Sequence, residues 1–110
     1  MLPFRMRVQL QLKKNTESIA VVGRVAITVA QVHNALDRLV VKAYSSGWFP
    51  NRAHGMLGQA VWEMKLHVQK YPPGGTNTQG AGNIYRKEFV DNGICYRLDL
   101  ENNAGNNLTS

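Results

Sequence analysis

The N-terminal quarter of the chain alternates apolar and polar residues. In FRMRVQLQLKK the apolar positions are Met6, Val8, Leu10 and Leu12, and charged or amide residues separate them. A period of two is typical of a half-buried strand. KNTE then supplies turn residues. SIAVVGRVAI follows, and its expected apolar face is Ile19, Val21, Val25 and Ile27, with Arg24 on the other face. The pattern predicts an N-terminal β-hairpin.

Two helical patterns follow this hairpin. Thr28 and Gln31 have the spacing of a capping box, and a stripe at intervals of three and four extends to Ser45-Ser46-Gly47. Pro50 predicts a break, and Asn51 is expected to cap a second helix from about Ala53 to Gln69. The expected apolar positions are Val29, Val32, Leu36, Leu39, Val40 and Ala43 in the first helix, and Leu57, Val61, Met64 and Val68 in the second, flanked by Trp62 and Leu66.

The segment IYRKEFVDNGICYRLDL predicts a second hairpin with a defined register. Asn92-Gly93 is the preferred dipeptide of a type I′ turn, because both residues must adopt positive φ. With Asp91 opposite Ile94, the pairs Glu88–Arg97 and Arg86–Asp99 share one face, and Phe89–Tyr96 and Tyr85–Leu100 share the other. A slip by one residue would lose both patterns.

The predicted order is therefore β-β-α-α-β-β, an α+β fold formed by residues 1–110 as a single domain. A chain of this length has room for one core. Two polar segments remain outside the regular elements: the loop 70–83, KYPPGGTNTQGAGN, and the tail 101–110, ENNAGNNLTS. A connection as long as this loop is usually either functional or disordered.

Composition narrows the class of protein. An apolar fraction of 44% with 18% charged residues is ordinary for a folded soluble domain. Cys95 is the only cysteine, which excludes an intramolecular disulfide and favours a reducing, cytoplasmic location. Gly23 and Arg24 interrupt the longest apolar run before it reaches the ~20 residues that cross a bilayer, so no membrane segment is expected.

Candidate catalytic residues are few. A ribonuclease needs a base and an acid flanking the phosphate and a cation for the developing charge. Glu63, His67, His54 and Arg86 would be that set in a small basic ribonuclease-type toxin, and the helices-then-hairpin order loosely resembles the fold of such enzymes. The simpler interpretation of Glu63 and His67, four residues apart on one helix, is a surface ion pair. No metal site, cofactor site or phosphate-binding loop is predicted.

The net charge of +6 favours polyanionic partners or an acidic protein surface. A basic face for nucleic acid would be formed by Arg5, Arg7, Lys13, Arg24, Tyr85 and Lys87. These positions are dispersed and lack the spaced aromatics of an RNA- or DNA-binding signature. A nucleic-acid-binding module therefore stays an alternative function.

Several segments resemble those of small bacteriophage virion-morphogenesis proteins of the neck and tail-completion type. They are VHNALDRLVVKAYSSG, PNRAHGMLGQAVW, KYPPGG followed by NIYR, and CYRLDLENNAG. The resemblance covers roughly residues 32–105. It implies a structural virion protein such as a phage tail component or head–tail connector, present in the host cytoplasm and in the assembled particle.

The resemblance and the long polar loop together predict a non-enzymatic assembly protein. It would form a homo-oligomer and contact other virion proteins through the loop 70–83 and the chain termini. The expected partner-binding residues are Tyr71, Pro72, Pro73, Thr76, Asn77, Gln79 and Asn83.

Overall fold

A four-stranded antiparallel sheet and two long helices make up the part of the chain that the structure describes. The structure is a computed structural model that describes residues 8–25, 28–72 and 83–102. In chain order the elements are β1 (Val8–Lys14), β2 (Glu17–Val25), α1 (Val29–Ser45), a short 3-10 turn (Asn51–Ala53), α2 (His54–Lys70), β3 (Asn83–Asp91) and β4 (Ile94–Asn102). The predicted order and the α+β class are confirmed.

The two hairpins join through their inner strands to form one sheet, in the order β2-β1-β4-β3. β1 and β4 run antiparallel, with Leu10 opposite Leu100 and Leu12 opposite Leu98. All four leucines belong to the core. The chain thus brings its first and last described strands together at the centre of the sheet, which leaves β2 and β3 as its edges.

The C-terminal hairpin has the predicted register. Asp91 lies opposite Ile94, and the nine paired positions of β3 and β4 continue without a shift. Asn92 and Gly93 have φ angles of 52° and 80°, as a type I′ turn requires.

One expected ion pair of this hairpin is replaced. Arg86 Nε donates to Asp99 at 2.9 Å, as its position predicts. Arg97 lies opposite Glu88, but its Nε donates to Asp99 at 3.1 Å. Asp99 is only 8% exposed, so its carboxylate recruits both neighbouring arginines to offset the loss of water.

The facing of β2 differs from the prediction. Val21 is 39% exposed, whereas Ala20 and Val22 are buried, and Ile19 is partly buried against the core. The cause is two register shifts in the β1–β2 ladder, one between Val8 and Leu10 and one between Leu12 and Lys13. Each extra residue breaks the period of two, so simple alternation assigns the wrong face. The predicted positions of Arg24 and Val25 concern side chains that are not described, and Ile27 lies outside the described residues.

Helix α1 begins as its sequence predicts. Gln31 N–H donates to the Thr28 hydroxyl at 3.1 Å, and Thr28 N–H donates to the Gln31 side chain at 3.0 Å, which completes the capping box. The predicted stripe faces inward: Val32, Leu36, Leu39 and Ala43 are buried, and Val29 and Val40 are partly buried.

Helix α2 begins differently from the prediction. Asn51 opens the 3-10 turn instead of capping the helix, and Ala53 precedes His54 without a side-chain cap. The predicted stripe of Leu57, Val61, Met64 and Val68 is buried.

The core lies between the helices and one face of the sheet. The strands contribute Leu10, Leu12, Ala20, Val22, Tyr96, Leu98 and Leu100. At one end the ring of Phe49 packs edge-on against Tyr96 at 5.0 Å and against Phe89 at 6.2 Å, so the connector between the helices is anchored on the C-terminal hairpin. Within the described residues, neither helix has the length and apolar character that a membrane span requires.

Gly93→Val should lower the free energy of unfolding by about 1–2 kcal/mol, because valine at positive φ is strained. A Cβ at Gly93 would meet no heavy atom within 4 Å. The loss in free energy of unfolding therefore reports the backbone strain without a steric clash. Gly23→Val is the matched control, because a Cβ at Gly23 would also meet no heavy atom within 4 Å but Gly23 has no positive φ. Urea denaturation measures both, and equal effects of the two changes would contradict the turn assignment.

Gly58→Ala should raise the free energy of unfolding by about 0.5–1 kcal/mol. Gly58 lies inside α2, is exposed, and leaves open space where a Cβ would stand. The glycine therefore has no packing role, and alanine reduces the entropy lost on folding. Thermal denaturation measures the change, and a lower melting temperature would contradict the open surroundings of this position.

Candidate functional site

The acidic and imidazole groups expected on the second helix both lie against β3. Lys87 Nζ forms an ion pair with Glu63 Oε1. One turn further along α2, the His67 ring stacks on Tyr85, with 3.6 Å between centroids and 12° between planes. Residues 63 and 67 are one helical turn apart and residues 85 and 87 are alternate strand positions. The two contacts therefore lie side by side between α2 and β3. We call these four residues the α2–β3 seam.

The electrostatics of the seam follow from its geometry. The hydrogen bonds from Lys87 and Gln59 lower the pKa of Glu63 below its ordinary value, and Gln59 donates at 2.9 Å. The same bond to Glu63 raises the pKa of Lys87. Both groups are therefore charged at neutral pH. Burial against Tyr85 and the nearby Lys70 charge lower the pKa of His67, so its imidazole is held neutral.

His54 lies at the opposite end of α2 from His67. Its ring stacks on Tyr44 at 3.7 Å with 13° between planes, and lies 5.8 Å from Phe49. Its Nε2 is buried and has no hydrogen-bond partner among the described residues. His54 and Glu63 are nine positions apart on the helix, which is a rise of roughly 13.5 Å along its axis. His54 therefore extends the aromatic end of the core and does not join the seam.

Arg86 lies on the other face of the sheet from the seam. It alternates with Tyr85 and Lys87 along β3 and binds Asp99, which belongs to the face opposite the helices. The structure thus brings Glu63 and His67 together and places His54 and Arg86 elsewhere. The expected ion pair between Glu63 and His67 is wrong, because Glu63 binds Lys87 and His67 stacks on Tyr85. Across residues 8–25, 28–72 and 83–102, no three His, Cys, Asp or Glu side chains converge as metal ligands would.

An open cleft lies beside the seam, between α2 and the edge strand. Its walls are Met56, Gln59, Ala60, Glu63, Lys87, Glu88 and Phe89, and its volume is about 240 Å³. Small-molecule sites usually occupy roughly 300–1,000 Å³ and enclose most of the ligand. The cleft is smaller than that and open, and its charged pair is already satisfied internally.

The expected partner-binding residues are only partly described. Tyr71 follows α2 directly and is 58% exposed, with Lys70 Nζ 5.5 Å from its ring centroid. Pro72 is exposed, and Asn83 opens β3 with its backbone paired to Asn102. Pro73, Thr76, Asn77 and Gln79 lie outside the described residues.

Two large apolar side chains point outward on α2. Trp62 and Leu66, which the sequence places beside the apolar stripe, are 56% and 46% exposed. They are one turn apart and therefore share one face of the helix. Ion pairs hold the helix on both sides of them, Glu63 to Lys87 of β3 and Lys65 to Asp37 of α1 at 2.8 Å. We call Trp62 and Leu66 the α2 ridge.

The basic set proposed for nucleic acid does not form one surface where it is described. Lys13 lies opposite Arg97, on the face of the sheet away from the helices. Tyr85 and Lys87 lie on the helix-facing side and belong to the seam. Arg5 and Arg7 lie outside the described residues, and the side chain of Arg24 is not described.

Sequence reasoning missed the structural role of Lys87. The signal was present, because the predicted register assigns the lysine to the apolar face of β3, between Tyr85 and Phe89. A charge on a core-facing position needs a partner. Glu63 was the acidic residue already identified on the helix that must cover this strand.

Comparison of the chain with protein-family models, with curated proteins and with solved structures finds no match.

The neutral state of His67 predicts a pH dependence of stability. Its pKa is lowered in the folded protein, so the unfolded chain takes up this proton at a higher pH. The stability that the neutral ring contributes is present above about pH 6.5 and is lost as the pH falls below that value. Urea titrations should show that the free energy of unfolding falls between pH 8 and pH 5.5 in the unmodified protein. The fall should be smaller in His67→Phe, which keeps a ring on Tyr85 but has no group that takes up the proton. Equal losses for both proteins would contradict this role of His67.

Proposed function

We propose that this chain is a non-enzymatic structural protein of a larger assembly, which binds a neighbouring protein through the α2 ridge and the loop 70–83. The observation that carries the proposal is the exposure of Trp62 and Leu66 on one face of the helix that leads into this loop. A tryptophan and a leucine one turn apart form the kind of apolar anchor that protein interfaces bury.

The ridge is rigidly presented, which favours binding. Glu63 and Lys65 attach α2 to β3 and to α1, while Leu57, Val61 and the other buried positions fix the opposite face of the helix in the core. Binding through an element held in this way requires no ordering of its backbone. The backbone that carries the ridge is thus already in place for a contact.

The α2–β3 seam supports the same proposal, because its acidic and imidazole groups already make structural contacts. Glu63 is occupied by Lys87 and Gln59, and the ring of His67 is covered by Tyr85. These roles connect a helix to a strand. They explain both residues without a substrate, so the ribonuclease interpretation has no observation that favours it.

The proposal also covers the kind of assembly to which the chain belongs. The segments that resemble phage neck and tail-completion proteins include PNRAHGMLGQAVW, which covers the start of α2 and ends at Trp62. We therefore propose a phage tail component or head–tail connector, in contact with other virion proteins in the assembled particle. Tyr71 and Asn83 mark the two ends of the segment that would reach a neighbour.

Incorporation into particles tests this function. The tagged chain should sediment with particles purified on a density gradient from the producing cells, in a constant number of copies per particle. Trp62→Glu should reduce incorporation at least about tenfold, because it places a charge in the buried centre of the contact. Trp48→Glu is the matched control, since Trp48 is 55% exposed and lies outside α2.

Two results would contradict the proposal. One is a chain that stays entirely in the soluble fraction while particles form. The other is equal incorporation of Trp62→Glu and Trp48→Glu. Circular dichroism of both variants establishes that each one is folded.

A further inference from the structure

The two edges of the sheet differ in their readiness to accept another strand. The β1–β2 ladder contains two register shifts, and Lys42 Nζ donates to the Val21 carbonyl at 3.0 Å. Bulges and side chains that occupy an edge are the usual protections against strand addition. In contrast, β3 pairs with β4 over nine consecutive positions without a bulge. β3 is therefore the regular edge of the sheet.

The hairpin turn determines which backbone groups of β3 point outward. In a hairpin with a two-residue turn, the residues that flank the turn form a hydrogen-bonded pair, and bonded pairs then recur at every second position. Asp91, Phe89, Lys87 and Tyr85 thus bond to β4. The alternate residues Val90, Glu88, Arg86 and Ile84 direct their N–H and C=O groups away from the sheet. The same alternation holds on β4, where the Cys95 carbonyl points to β1 and accepts from Asn15 N–H at 2.7 Å.

The sequence of β3 is complementary to itself about its central residue, Lys87, when two copies run antiparallel. In NIYRKEFVD, the neighbours of Lys87 are Arg86 and Glu88, and the next positions are Tyr85 and Phe89. We propose that β3 pairs antiparallel with β3 of a second copy of this chain, about a twofold axis through Lys87. In this register Arg86 lies opposite Glu88 of the second copy, and Tyr85 lies opposite Phe89.

The next pair outward explains an exposed apolar residue. Val90 is 60% exposed, and the register places it opposite Ile84 of the second copy. An added strand would therefore cover this exposed valine. Because positions 84, 86, 88 and 90 carry the outward-pointing backbone groups, the same register also pairs donors with acceptors along the edge.

The pairing gives Glu88 an ionic partner. Its cross-strand neighbour Arg97 is bound to Asp99, and Glu88 itself has no ion pair among the described residues. Arg86 of the second copy would supply that partner at each end of the axis. Its Nε binds Asp99 of its own chain, but its side chain stays 43% exposed, against 28% for Arg97, so the outer guanidinium N–H groups can donate to Glu88. Both charges lie on the face of the sheet away from the helices, where nothing described covers them.

Lys87 on the axis would face Lys87 of the second copy, a repulsive contact by itself. Each lysine is bound to Glu63 of its own chain, so the axis carries two positive and two negative charges. An inward-pointing charge on an edge strand is normally a protection against pairing. Here the α2–β3 seam neutralises that charge.

Shifted registers do not reproduce the match. An axis through Arg86 places the two arginines opposite each other and Ile84 opposite Glu88. An axis through Glu88 places two glutamates opposite each other and Lys87 opposite Phe89. Like charges at facing positions and charges opposite apolar residues are both unfavourable. The axis through Lys87 therefore defines one register.

Sedimentation equilibrium of the purified chain alone tests the pairing, from micromolar to millimolar concentration. The unmodified chain should reach the mass of a dimer. Glu88→Arg should weaken the dimer at least about tenfold, because two attractive pairs become repulsive. Glu17→Arg, the same charge change at the start of β2, should leave the dimer unchanged. Arg86→Glu should weaken the dimer like Glu88→Arg, and circular dichroism establishes that it stays folded although it loses the Asp99 contact, which Arg97 still makes.

An equimolar mixture of the two weakened variants should restore the dimer. One chain then carries two arginines at these positions and the other two glutamates, so all four facing charges become complementary. A monomer at every concentration, a dimer that Glu88→Arg does not weaken, or a mixture that stays monomeric would each overturn the proposal. The experiment uses no partner protein, so its outcome is separate from that of particle incorporation.

Discussion

The antiparallel contact between β1 and β4 is the interaction on which the rest of the fold depends. Each hairpin alone would be at most marginally stable, since two strands cannot bury a face. Pairing Leu10 with Leu100 and Leu12 with Leu98 converts two hairpins into one sheet wide enough to cover both helices. The turn residue Asn15 extends this contact, because its N–H donates to the Cys95 carbonyl and its side-chain oxygen accepts from Cys95 N–H.

Once the sheet is assembled, α2 holds its outer part in place. β3 has a neighbour on one side only, and its helix-facing residues Tyr85 and Lys87 are each met by a residue of α2. Phe89 is met by Phe49 of the connector between the helices. The groups that first suggest chemistry on this chain therefore serve to attach the edge strand. The perturbed pKa values of Glu63, His67 and Lys87 follow from that attachment.

Local patterns predicted the elements well, and distant pairing and bulges were not predictable from them. The Asn92-Gly93 turn and the alternation of charges define the C-terminal register, because both signals lie within twenty residues of each other. The β1–β2 hairpin has the same alternation, yet two bulges shift Ala20 and Val22 inward. Gly23 lies in the first of these irregularities and is a weak signal for a bulge, whereas no residue type marks the second one. The β1–β4 contact joins residues that are between 82 positions (Lys14 and Tyr96) and 94 positions (Val8 and Asn102) apart, and no pattern in either strand identifies the other as its partner. The stacking partner of His67 became visible only with the packing of α2 on β3, whereas Lys87 on the apolar face of β3 already required an acidic partner.

The two edges of this sheet show how one kind of residue can have opposite effects. A lysine near an edge usually protects it, as Lys42 does where it occupies the Val21 carbonyl of β2. Lys87 lies in the middle of the other edge, but its charge is directed under the helix to Glu63. A charge paired within its own chain loses less on dehydration than a free one, so it opposes the approach of another strand less. The accessibility of β3 therefore depends on α2, and the same helix that completes the core also determines which edge of the sheet remains available.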